Sequence, residues 1–200
     1  MKKPSLLSLI AAFACVALYA QTPDYRFGKV SAEELRMTSY DKDPDAAAVY
    51  LYEENSLFYQ IDREIGLTSD YRARIKILKS DGTDQANVSI PYTDEYSVRE
   101  SVFGIDAVAY NLVDGKIVKT PLKKQYIFTE QVGENHKLVK FSIPEVREGT
   151  VIEYKFRKTS KNPTYIPSFR FQHDIPVARC HMQALIPEFF KFNLNLKGYI

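Results

Sequence analysis

Few residues in this chain are equipped for chemistry. The histidines are His136, His173 and His181, and two of them stand in pairs, His173-Asp174 and Cys180-His181. Imidazole, thiolate and carboxylate make a metal centre when they converge on one ion. A thiol beside an imidazole makes a nucleophile. His173, Asp174 and His181 would be the set for an intrinsic hydrolase. The pattern around them argues otherwise. In residues 175–186, Ala178, Cys180, Met182, Ala184 and Ile186 alternate with Arg179, His181 and Gln183. A strand here puts Cys180 and His181 on opposite faces. Cys180 then reads as a buried small hydrophobe, without the electropositive, accessible setting that a catalytic thiol needs. No G-x-S-x-G, H-E-x-x-H or phosphate-binding glycine loop occurs. No catalytic residue, metal ligand or cofactor is assigned on these grounds.

The tyrosines offer a different chemistry. Tyr92, Tyr96, Tyr126, Tyr165 and Tyr199 lie near predicted turns, where rings can stack on a sugar or dock a peptide. A surface glycan- or peptide-binding module is therefore the alternative function. Tryptophan, a frequent component of carbohydrate platforms, is absent. Core filling and edge packing account for most of these rings without a ligand.

The elements that position these residues follow from periodicity. Ser31-Ala32-Glu33-Glu34 is a capping box opening a short helix over residues 32–37. A strand over 46–52 is expected to end at Glu53-Glu54-Asn55, with a second over 57–63. In 71–78, Tyr71, Ala73, Ile75 and Ile77 alternate with Arg72, Arg74 and Lys76, one set for a core and the other for solvent. Residues 87–92 form a short strand ending near Pro91. Residues 102–112 and 116–120 flank Asp114-Gly115, the strongest short hairpin signal. Residues 122–128 suggest a helical turn, and 168–171 a short strand. Residues 137–160 read as another hairpin. Val139, Phe141 and Ile143 lie inward on its first arm, and Ile152, Tyr154 and Phe156 on its second, with Glu153, Lys155 and Arg157 in solvent. Strands spaced by turns predict a mainly β chain, an antiparallel sandwich of two packed sheets with one or two short helices.

Composition sets the address. Lys2 and Lys3, an apolar run to Leu18, and Ala20 before a polar stretch describe a secretory signal peptide over residues 1–20. Residues 21–200 then form one β-sandwich domain. Without Lys2 and Lys3 the chain has 25 basic against 25 acidic residues. It lacks the cationic footprint of a nucleic-acid partner. Cys15 is the one route to a membrane, through a lipid anchor, and Cys180 is left without a disulfide partner. Phe190, Phe192, Leu194 and Leu196 alternate up to the last residue, Ile200, so the natural protein is expected to continue.

Seven phrases carry a resemblance. FGKVSAEELRM (27–37), YDKDPDAAAVYLYEE (40–54), RARIKILKSDG (72–82), ANVSIPY (86–92), YNLVDGKIVKTPLKK (110–124), FSIPEVREGTVIEYKF (141–156) and FQHDIPVARCHMQALIPEFFKF (171–192) occur in that order. Together they resemble the domain of unknown function numbered 3857, of secreted bacterial proteins. The resemblance implies a non-catalytic β-rich domain, exported to the periplasm or outer surface of a Gram-negative bacterium. It also implies a downstream partner in the same chain, a transglutaminase-like domain with a papain-like Cys-His-Asp core. The nucleophile of that core would lie beyond Ile200, so no catalytic residue carries over onto this chain. The implied role is that of a scaffold or substrate-presenting module.

Overall fold

The computed structural model describes residues 24–191. The signal peptide, Cys15, Tyr199 and the alternation that runs to Ile200 lie outside the described residues. The chain begins with α1 (Ala32–Arg36), capped by Ser31 and Glu34 as its capping box requires. The strands are β1 (Ala48–Ile61), β2 (Ile65–Ile77), β3 (Asn87–Thr93), β4 (Ser101–Val113), β5 (Lys116–Pro121), β6 (Phe128–Gln131), β7 (His136–Ser142), β8 (Val151–Ser160) and β9 (Cys180–Leu185). They form a six-stranded sheet, β5-β4-β8-β2-β1-β9, and a three-stranded sheet, β3-β7-β6. All neighbours are antiparallel except β9, which joins β1 in parallel at the edge.

The expected mainly-β, two-sheet architecture is present. The inner faces meet in a core of Ala48, Tyr50, Ala73, Ile75, Ile77, Ala107, Ala109, Ile152 and Tyr154 from the large sheet. Ile90, Val139, Phe141 and Ile143 fill it from the side of the small one. Asp114 and Gly115, with φ of 49° and 75°, make the tight β4–β5 turn that their types demand. Pro91 sits inside β3, which its edge position permits because no ladder donor is needed there.

Several expectations need correction. Residues 137–160 are not a hairpin. β7 pairs with β3 and β6, whereas β8 pairs with β2 and β4. The apolar residues of both arms do point inward, but they face each other across the sandwich. The connection holds Pro144 and two positive-φ residues, Glu145 and Gly149, so it arches from one sheet to the other. β1 does not break at Glu53-Glu54-Asn55, because each of these polar side chains finds a cross-strand partner on β2. Residues 168–171 form no strand, and the strand expected over 175–186 shortens to β9.

The faces assigned to solvent on β2 and β8 are largely covered. Arg74, Lys76 and Glu153 are at most 1% exposed. α1 and the chain before it lie over the outer face of the large sheet. Val30, Leu35 and Ala46 pack there on Val49, Leu51, Leu78, Tyr110 and Val151. A buried charge needs partners for every donor. The Arg74 guanidinium donates to Glu153 and Glu34 and to the carbonyls of Asp24 and Arg26. Lys76 Nζ donates to the Leu35 and Gly149 carbonyls at 2.7 and 2.5 Å. These basic residues tie the N-terminal segment to the sheet.

Candidate functional site

The inner face of the large sheet is wider than the three-stranded sheet opposite it. Beyond Ile90 and Pro91 of β3, the residues that cover it are the irregular run from Tyr165 to His173. Between this strap and the sheet lies a cleft of about 350 Å³. Its apolar walls include Leu57, Leu67, Phe156 and Phe169, and its floor carries Glu53, Asn55, Ser69 and Tyr71.

A β-bulge sets that floor. Tyr50 is opposite Ile75 on β2, but Tyr52 is opposite Arg74, so Leu51 is supernumerary. Before the bulge the even-numbered residues Ala48 and Tyr50 face the inter-sheet core. After it the odd-numbered ones do, and Glu53 and Asn55 turn inward. Without the extra residue they would point to the opposite face.

Glu53 is 1% exposed. Tyr71 Oη donates to its Oε1 at 2.6 Å, and His173 Nε2 lies 2.8 Å from its Oε2. The Cys180 thiol reaches the same Oε2 at 3.7 Å. The His173 ring stacks on Tyr50, with centroids 4.7 Å apart. Burial pushes the phenols of Tyr50, Tyr71 and Tyr154 above the ordinary tyrosine range, so they serve as donors. Burial, and after it the negative charge of Glu53, pushes the Cys180 thiol up to about 11. Next to Glu53, Ser69 Oγ donates to Asn55 Oδ1 at 2.6 Å, and the Asn55 amide N–H groups have no protein partner among the described residues.

The residues singled out from sequence are only partly brought together. His173 and Cys180 share one carboxylate oxygen, while His181 and Asp174 are exposed and His181 alternates to the other face of β9. His136 is exposed at the start of β7. Cys180 is partly buried on an edge strand beside a carboxylate, rather than a core hydrophobe. Among the described residues no group of three His, Cys, Asp or Glu is arranged to hold a metal ion. The tyrosines do not form one platform. Tyr165 borders the cleft, Tyr92 lines a neighbouring groove with it, and Tyr126 lies in a separate depression beside Phe128. Tyr96 stands alone with Arg99 over its ring. The residues that sequence reasoning missed are Glu53, Asn55, Ser69 and Tyr71. Their one signal was a polar trio, Glu53-Glu54-Asn55, set inside an otherwise unbroken strand-forming run.

Among the described residues no helix is long and apolar enough to cross a membrane. A family model, that of the domain of unknown function numbered 3857 (DUF3857), matches residues 66–200. No curated protein matches the chain. Among solved structures, a candidate protease from Parabacteroides distasonis ATCC 8503 is similar, with a TM-score of 0.50 at 16% identity. The match covers 67% of this chain and 28% of that one, and it is a likeness of fold.

Proposed function

The chain belongs to the DUF3857 family, and from that membership we propose that it is a non-catalytic, exported accessory domain. Its role is to hold polypeptide for a transglutaminase-like domain with a Cys-His-Asp core that follows it in a longer protein, in the periplasm or on the outer cell surface. The observation that carries this reading is the chemistry of the cleft. The cleft offers a buried carboxylate, free amide donors and aromatic walls, which recognise, but it pairs no activated nucleophile with a base. The Cys180 thiol is held protonated by burial and, after it, by the neighbouring Glu53 charge. The likeness to a candidate protease of which this fold is about a quarter supports a module inside a larger hydrolytic or cross-linking protein.

The test has two readouts on the full chain with Cys15→Ser, so that Cys180 is the reporting thiol. Peptidase and amidase substrates should not turn over. Iodoacetamide at about pH 8 should alkylate Cys180 at least about tenfold more slowly than free cysteine, because the thiolate fraction scales with the shift. Turnover abolished by Cys180→Ala would overturn the reading.

A further inference from the structure

We propose that the cleft binds a primary ammonium on a short methylene chain, the side chain of a lysine in a polypeptide. The proposal deepens the presenting role above, and rests on it only for what the bound lysine is for.

The first observation is an imbalance of charge. Four other carboxylates whose side chains are at most 24% exposed have a strong base as partner: Glu153 and Glu34 have Arg74, Glu54 has Arg72, and Glu100 has Lys158. Glu53, more deeply buried than all of them but Glu153, has a phenol, a thiol and an imidazole, and no arginine or lysine among the described residues. A carboxylate out of water is costly unless a cation meets it. The cations on the cleft lining stay away from it. Lys158 is bonded to Glu100 and to the Pro91 carbonyl, and Arg170 makes no ion pair among the described residues.

The walls supply the second observation. Leu57, Leu67 and Phe156 offer apolar cover for a methylene stem. The rings of Tyr71 and Phe156, stacked with centroids 4.9 Å apart, extend that apolar wall beside Glu53. Asn55 Oδ1 is a further acceptor on the same floor.

Geometry also separates lysine from arginine. A guanidinium fork needs both carboxylate oxygens presented side by side. Here Oε1 already accepts from Tyr71 and Oε2 contacts His173. A compact ammonium can use the single remaining direction. His173 restricts that access, since its ring stands on Oε2.

The experiment is a chemical-shift titration of the full chain with Nα-acetyl-L-lysinamide, Nα-acetyl-L-norleucinamide and Nα-acetyl-L-argininamide at one pH near neutrality. The lysine amide should give saturable shifts at cleft residues. The norleucine and arginine amides, and the lysine amide against Glu53→Gln, should bind at least about tenfold more weakly. Absence of lysine binding, equal binding of norleucine, or an unchanged Glu53→Gln would overturn the site. Should Glu53→Gln fail to fold, His173→Ala carries the test, since clearing Oε2 should tighten lysine binding at least about threefold. Unchanged or weaker lysine binding in that variant would overturn the proposal. Lysine binding that leaves turnover in the longer protein unaffected by Glu53→Gln would instead overturn the presenting role and leave the site standing.

Discussion

At the scale of single residues, buried ionisable groups decide how this protein responds to pH. Lys76 is fully buried, and desolvation lowers its ammonium from 10.5 to about 8. The unfolded chain holds that proton up to about 10.5, whereas the folded chain gives it up near 8. Between those values the unfolded state binds more protons, so stability rises with pH. Urea unfolding should show a gain of roughly 2 kcal/mol between about pH 8 and about pH 9.5, and Lys76→Met should flatten it. Above the ordinary phenol range the sign reverses. Tyr50, Tyr71 and Tyr154 stay protonated only in the fold, so alkali then favours unfolding. None of this was legible in the sequence. Arg72, Arg74 and Lys76 alternate as a solvated face would, and nothing in that spacing marks Arg74 and Lys76 as covered by a helix about forty residues earlier.

At the scale of elements, the two-residue period located most strands but not their partners. Val139, Phe141, Ile152 and Tyr154 were placed on the correct face, because inward alternation depends only on a strand's own sequence. Pairing depends on the turn, and the Pro144-to-Gly149 arch sends the second strand to another sheet. By sequence alone Glu53 reads as a strand end, since acidic residues and asparagine are uncommon in strands. The 3-10 turn Ser80–Ala86 shows how tightly such connections can be fixed. Its Gly82 is buried, and a Cβ there would collide with the Ala47 carbonyl and lie 3.1 Å from the Ala48 Cβ. Gly82→Ala should destabilise by about 1–3 kcal/mol in urea, because that backbone carbonyl is held by Leu78 and Lys79 N–H groups and cannot move aside.

At the scale of the whole molecule, one sheet serves two purposes on its two faces. Toward the N-terminal end of β1 it is sealed on both sides, inside by the small sheet and outside by α1 and the chain before it. Farther along β1 its inner face opens into the cleft. The sealing is a shared ionic and apolar structure, so it should come away as a unit. A chain lacking residues 24–37 takes Glu34 and two carbonyls from Arg74 and the Leu35 carbonyl from Lys76, opens the Arg74–Glu153 pair to water, and uncovers Val49, Leu51, Tyr110 and Val151. A loss exceeding about 5 kcal/mol is expected, comparable to the entire stability of many domains. Near-ultraviolet circular dichroism should then show no cooperative transition. A truncated chain that melts cooperatively within a few degrees of the parent would refute this account.

Leu51 has no counterpart on β2, and the odd–even assignment of every later position in β1 depends on it. For side chains, a strand is a two-letter code, and the bulge is an inserted letter that reverses its reading. An indel of one residue just before Glu53 would change composition, hydrophobicity and strand length by a single residue, yet carry the carboxylate to the opposite side of the sheet. Chains that share this fold but differ by one residue in that stretch would therefore differ in what they can hold.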